Sequence, residues 1–371
     1  MQSAVFRRKF RGASPYKGDL EDMGKVSAFL KRKNVLFSAK RYGIDAMGAM
    51  AQGLFASLLI GTIIKTLGQQ LNVQFLIDAG NFAQQVAGPA MAVSIGAALS
   101  APQLVLYSLI AVGMAANKLG GAGGPLAVYF ITIVASECGK IVSKETKVDI
   151  LVTPAVTILV GVGLSVLCAP AIGAAASSVG DFIKWATNLQ PLLMGILVSV
   201  VVGMALTLPI SSAAICAALS LTGLAGGAAV AGCCAQMVGF AVMSFRENGV
   251  GGLVSQGLGT SMLQMPNIIR NPRVWIPPTL ASGPIATCLF HLEMNGPAVS
   301  SGMGTCGLVG QIGVYTGWLN DIAAGTKAAI LPMDWVGLIL ICFVLPAVLT
   351  LLFAFFLRKW GWIKDGDLKL Q

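Results

Sequence analysis

The residues best suited to chemistry stand in His291-Leu-Glu293-Met-Asn295-Gly-Pro297, which holds the chain's only histidine and a carboxylate two positions on. Glu293 and Asn295 can fork hydrogen bonds to vicinal hydroxyls, and His291 can donate, accept or relay a proton. The same residues also read as a solvated loop at a helix end. Three further places put polar groups beside apolar runs. Arg246-Glu247-Asn248-Gly249 closes one run, either as a solute contact through Glu247 and Asn248 or as a turn with a local ion pair. Glu137, with Ser136 and Lys140 nearby, ends another and is open to the same two readings. In Pro209-Ile-Ser211-Ser212 a proline breaks the helix, and the hydroxyls either repair freed backbone groups or meet a polar solute.

Several chemistries are excluded. No Gly-rich phosphate loop ending in Lys-Ser/Thr occurs, so nucleotide binding of that kind is not expected. A single histidine supports neither a Ser-His-Asp triad nor an HExxH zinc site, and no cofactor is expected. The eight cysteines sit mostly inside apolar runs without metal-ligand spacing and read as small, reduced packing residues.

The elements that must position these groups are membrane helices. Of 371 residues 56% are hydrophobic and only 11% charged, too few charges to clothe a water-soluble surface. Runs such as 51–67, 191–208 and 335–357 approach or exceed the roughly 20 helical residues that cross a bilayer core. They are apolar throughout rather than alternating, which excludes a transmembrane barrel. The formal charge of +10 is concentrated at the chain ends, including Arg7, Arg8, Lys9, Arg11, Lys31, Arg32, Lys33, Lys40 and Arg41 before the first span. Such flanks stay cytoplasmic, so both termini are expected inside and nucleic acid is not expected as a partner. The bounds expected are a basic cytoplasmic segment over 1–43, a transmembrane domain over 44–357 and a cytoplasmic tail over 358–371. Residues 20–41 are expected to form an amphipathic surface helix.

Apolar runs and breakers place spans near 44–69, 125–142, 150–167, 191–208, 224–245, 274–290 and 333–357, with helical pieces at 76–99 and 102–116. An external segment is expected at 172–188. Residues 209–222 and 291–313, interrupted by Gly, Ser and Pro, suit two re-entrant hairpins. The fold class is therefore an all-α polytopic membrane protein with about ten membrane segments. Residues 89–100 align without a gap on 209–220, with six identities. That echo suits duplicated halves with a site between them, though Ala-rich helices also match one another by chance.

At Leu206-Thr-Leu-Pro-Ile-Ser-Ser-Ala-Ala214, and again at Asn295-Gly-Pro-Ala-Val-Ser-Ser-Gly-Met-Gly-Thr-Cys306, the sequence resembles the membrane subunits of sugar phosphotransferase systems, the EIIC components. It is most similar to a branch labelled membrane regulators of toxin production, the perfringolysin O regulator type. The resemblance implies a homodimer in a bacterial cytoplasmic membrane, each protomer moving a substrate domain with two re-entrant hairpins against a dimerisation domain. It implies a sugar-like solute and a separate EIIB protein that donates a phosphoryl group, so that any enzymatic role is that of a membrane subunit. His291 and Glu293 are the positions that would match the family's sugar-binding hairpin residues. The alternative is a sensor that keeps the fold, binds a ligand without transporting it, and signals through the basic segment, which could also hold anionic lipid.

Overall fold

The computed structural model describes residues 27–282 and 292–370. His291 and the basic residues Arg7, Arg8, Lys9 and Arg11 lie outside the described residues. Helix α1, Arg41–Leu71, carries π-helical turns at Arg41–Asp45 and Phe55–Leu59. It ends at Asn72, whose φ of 53° is the left-handed cap that asparagine tolerates. Helix α2, Gln74–Gln85, folds back along the second half of α1, and α3, Ala87–Ala98, packs on its first half. Helices α4, Gln103–Gly120, and α5, Gly124–Val142, form an antiparallel pair joined by the tight turn Gly121–Gly123. Lys140 Nζ at the end of α5 lies 3.1 Å from the Leu99 carbonyl just before α4, so α5 returns to where α4 began.

Helix α6, Asp149–Ala186, is a single helix of 38 residues. The sequence reading, a span ending near 167 followed by an external segment, is corrected here: the helix continues through 186 with Pro154 and Pro170 inside it. Alanine-rich sequence beyond Cys168 favours helix, and α6 seats against the Gly121–Gly123 turn, where a side chain on Gly123 would press on the Ile172 carbonyl at 2.7 Å. The expected surface helix over 20–41 also differs. Residues 27–32 are helical, and the chain then turns at Asn34, with φ 56°.

Helix α7, Pro191–Thr207, is followed by a break, the short α8, Ser212–Ala218, and then α9, Gly223–Met243. Beyond come α10, Phe245–Val254, and the short helices α11, Met265–Arg270, and α12, Ile276–Leu280. After the undescribed stretch, α13, Ala298–Ser301, precedes α14, Val309–Ala323, and α15, Pro332–Lys359, completes the chain apart from its tail. Among the described residues no strand forms; the one bridge joins Gly223 to Met294.

Among the described residues five helical stretches are long and apolar enough to cross a membrane, namely α1, α4 with α5, α6, α9 and α15, and α3 and α7 are shorter apolar helices. Their burial differs in kind. The most apolar window of α9 is 89% buried, against 22% for α6 and 33% for α15. Helix α9 is thus the central pillar, and α6 and α15 turn apolar faces such as Leu159, Leu167, Val348 and Phe355 outward, as lipid-facing helices do. Glycine permits the tightest crossing. A side chain on Gly203 of α7 would meet the Gly232 carbonyl of α9 at 2.6 Å, so the two backbones touch directly.

Both ends of the described chain lie on one face. Helix α11 packs on the start of α1, and Asn267 of α11 donates to the carbonyl of Lys369 in the tail at 3.0 Å. Arg32, at the other end, pairs with Glu145 in the α5–α6 loop at 2.8 Å. Lys33 also contacts Glu145, and its hydrogen bond, with the Arg32 charge beside it, holds the Glu145 carboxyl below its ordinary range.

The echo between 89–100 and 209–220 has a structural counterpart. After α3, Leu99, Ser100 and Ala101 donate their amides to the carbonyls of Ile95, Ala97 and Gly96. After α8, Leu219, Ser220 and Leu221 donate to Ile215, Ala217 and Cys216 in the same register. Ser100 and Ser220 take φ of 55° and 49°, and each turn feeds an extended residue and then a long helix, α4 or α9. The two copies part at their starts, because Pro89 lies inside α3 whereas Pro209 lies in the break before α8.

Candidate functional site

The helix breaks converge. The Ser211 amide donates to the Ala122 carbonyl at 2.8 Å, tying the break before α8 to the turn between α4 and α5. Ser212 Oγ donates to the Gly302 carbonyl at 2.7 Å, and Ser301 Oγ to the Leu221 carbonyl at 2.7 Å, so the C-terminal end of α13 holds α8 at its start and just past its end. Thr305 Oγ1 donates to the Gly257 carbonyl in the π-helical turn Ser255–Gly259. Freed backbone groups in apolar surroundings need such partners, and irregular backbone at membrane depth persists where it is buried in protein or lines a cavity.

A cavity of about 200 Å³ opens among these breaks. Leu54, Leu58 and Leu59 of α1 form one wall at its π-helical turn, and Leu206, Ile210 and Met303 form another. Polar groups enter from separate elements: Gln84 near the end of α2, Asn117 in the last turn of α4, Ser211 and Ser212 at the start of α8, and Thr260. Their hydrogen bonds are incompletely used. Gln84 Nε2 donates to Thr62 Oγ1 at 2.8 Å, which leaves its carbonyl oxygen available. Ser211 Oγ and Thr260 Oγ1 accept from the Ala214 and Met262 amides, which leaves each hydroxyl proton to donate. Nothing among the described residues bonds to the Asn117 amide, which retains two donors and an acceptor.

The other residues singled out in the sequence are held in three separate places. Glu137 is buried against Lys140, 2.8 Å away, and Lys140 Nζ also donates to the carbonyls of Asn34 and Leu99. The Leu99 carbonyl receives Arg41 Nη2 as well, so these charges fasten the end of α3 to the basic face. Glu247 pairs with Arg358 at 3.1 Å, and Asn248 bonds to the tail through both ends of its amide. Asn295 donates to Asp321 of α14 at 2.9 Å and lies 3.5 Å from the exposed Glu293. The segment carrying Glu293 crosses the start of α9 so closely that a side chain on Gly227 would strike the Leu292 carbonyl. Among the described residues no group of three or more metal-ligating side chains forms.

The family described as Phosphotransferase system, EIIC matches residues 44–370, most of the chain. The chain belongs to that family. No curated relative and no solved structure matches it. As an EIIC membrane component, it brings Ser211 and Ser212 to the cavity wall, while Glu137, Glu247, Asn248, Glu293 and Asn295 line other parts of the molecule. A search for ionisable groups passes over Gln84, Asn117 and Thr260. The usable signal was an uncharged amide just before a glycine-rich break, since Asn117 stands three residues ahead of Gly120-Gly-Ala-Gly-Gly124.

Proposed function

We propose that this EIIC chain carries a sugar-like small solute across the bacterial cytoplasmic membrane, and that the solute sits in the cavity between α1, α4 and α8. The observation that carries the reading is the set of unused hydrogen-bonding positions on Asn117, Gln84, Ser211 and Thr260 around about 200 Å³ of space. A dry apolar void would need none of them. The volume exceeds the roughly 150 Å³ at which an engineered protein cavity admits a benzene-sized ring. Donors and acceptors converging from several helices suit a ring or chain bearing several hydroxyls, and all four groups are neutral, which suits an uncharged solute.

The basic face holding Arg32, Lys140, Arg358 and both ends of the described chain is then cytoplasmic, by the distribution of Lys and Arg. A separate EIIB protein would meet the molecule on that side and supply the phosphoryl group. The EIIC chain's own part is positioning, in which effective concentration and orientation carry the rate.

The test is uptake of radiolabelled hexoses and hexitols into vesicles containing the purified protein, alongside a melting-temperature screen of the same compounds. Saturable uptake of a compound that also raises the melting temperature supports the transporter. A compound that raises the melting temperature without crossing favours the sensor of the toxin-production regulator type. No response in either assay refutes the sugar-like solute.

A further inference from the structure

An open cleft of about 450 Å³ lies on the basic face, away from the solute cavity. Arg32 and Lys33 line it from the chain before α1, Ser100 from the turn between α3 and α4, and Ser143, Lys144 and Glu145 from the α5–α6 loop. With Lys140, which also reaches the lining, four cations meet one carboxylate there. Glu137 balances the buried Lys140, and Asp149 accepts the Lys144 backbone amide, yet Arg41, which shares the Leu99 carbonyl with Lys140, restores the excess of positive charge.

Part of that charge is uncommitted. Lys33 is held by Glu145 and the Ser143 carbonyl, but Arg32 uses only one guanidinium nitrogen on Glu145. The ammonium of the exposed Lys144 donates to nothing among the described residues. The Ser100 and Ser143 hydroxyls make no hydrogen bond among the described residues either, and each can donate to an anionic oxygen.

The backbone of the α5–α6 loop points the same way. Glu145 donates its amide to the Val142 carbonyl at 3.2 Å, Ser143 has φ −58° and ψ 129°, and Lys144 has φ 61°. These are the features of a type II turn with Lys144 at the position that favours glycine. A lysine is strained there where glycine is not, so turn formation alone does not account for it.

Apolar side chains flank the cleft on both sides. Leu36 and Phe37, just past Asn34, are 43% and 80% exposed, and Val148, Ile150 and Leu151 are exposed where the loop enters the lipid-facing helix α6. The cations therefore stand between two apolar margins at the end of a membrane helix, the level at which lipid headgroups meet acyl chains. A soluble anion would use the charges and leave the margins bare. A phospholipid uses both.

We propose that this cleft binds the headgroup phosphate of an anionic phospholipid, held by Arg32, Lys144 and the Ser100 and Ser143 hydroxyls, with the acyl chains lying against Phe37 and Ile150. The site does not depend on what the solute cavity carries. The test titrates the full chain in detergent with phosphatidylglycerol and, separately, with phosphatidylcholine and with glycerol phosphate, reading the melting temperature at each concentration. Phosphatidylglycerol should raise it saturably and phosphatidylcholine should not, and added salt should shrink the shift. Lys144→Gly should weaken the apparent affinity for phosphatidylglycerol about fivefold, the factor for one cation beside an anionic lipid. The same variant without lipid should melt at the parent's temperature or slightly above, because glycine suits the turn. Arg32→Gln should weaken the affinity by a similar factor, whereas Lys359→Gln, an exposed charge on the same face but outside the cleft, should leave it unchanged. Equal affinities in the parent, Lys144→Gly and Arg32→Gln overturn the site. A loss in Lys359→Gln as large as that in Lys144→Gly also overturns it, since the lipid then senses only the overall charge of the face. If glycerol phosphate raises the melting temperature as much as phosphatidylglycerol at the same concentration, the acyl chains contribute nothing and the lipid assignment is overturned in favour of a soluble phosphate ester.

Discussion

Replacing Asn117 by alanine removes two donors and an acceptor from the cavity wall but breaks no hydrogen bond among the described residues. Binding and stability should therefore separate. A hydroxylated solute that uses one or two of those positions loses about 1–2 kcal/mol, which weakens its dissociation constant roughly 5- to 30-fold. The unliganded protein should melt at the parent's temperature or slightly higher, because alanine is the better helix former. The assay is equilibrium binding of whichever labelled hexose or hexitol stabilises the parent, with the melting temperature of each unliganded protein measured beside it. Unchanged affinity would show that the solute does not touch Asn117. A drop in the unliganded melting temperature as large as a core deletion produces would show that the amide has a structural partner, and the argument from unused bonds would fail.

Glu293→Gln, measured in the same titration, should leave affinity unchanged, since the carboxylate is exposed, 3.5 Å from Asn295 and outside the cavity wall. Lys140→Met strands the buried Glu137 and removes one of two donors from each of the Asn34 and Leu99 carbonyls, which Arg41 still serves, so a loss of about 3–5 kcal/mol, mostly from the unpaired Glu137, is expected and is read in chemical denaturation. Gly232→Ala forces a methyl onto the Ser199 carbonyl and should cost about 1–3 kcal/mol by overpacking, whereas Gly251→Ala enters open space and should be neutral or mildly stabilising. Both are compared by thermal melts. The Glu145 carboxyl is lowered by its hydrogen bond from Lys33, so its stabilising pairing is complete above the ordinary carboxylate range and fades as pH falls through the lowered folded-state value. Amide exchange in residues 27–33, corrected for its intrinsic pH dependence, should therefore show constant protection near neutrality and loosening only in acid.

The long apolar runs were legible because period and breakers agree: α1, α7, α9 and α15 fall within a few residues of their sequence bounds. Helix α6 was not, since alanine-rich sequence past Cys168 gives no hydropathy contrast between a helix that continues and one that ends. What decides it is a tertiary contact with the Gly121–Gly123 turn. The site was half legible for a similar reason. Pro209 announces a break and therefore exposes Ser211 and Ser212, but Gln84 becomes a wall residue only through the packing of α2 on α1. Glu247 and Asn248 drew notice as polar groups at a span end, and their partners lie more than a hundred residues away, Arg358 in the last turn of α15 and Leu368 and Leu370 in the tail.

The neutrality of the cavity is itself a mechanistic constraint. Charges among the described residues gather at helix ends and in loops, where Lys140 meets Glu137, Arg358 meets Glu247 and Lys327 meets Asp334. An ion held at mid-depth would need a buried counter-charge, and a site built that way releases its ligand slowly because departure leaves a charge unpaired. Amides and hydroxyls left half-bonded have the opposite property. Each bond to a solute hydroxyl contributes about 0.5–1.5 kcal/mol, enough in sum to select a polyhydroxylated molecule yet small enough for the bonds to break one at a time. Placing those groups in the last turns of α2 and α4, at the break before α8 and at Thr260, rather than mid-helix, lets small backbone movements change their spacing. Selectivity and release can then reside in the same residues, which a carrier needs and a tight receptor does not.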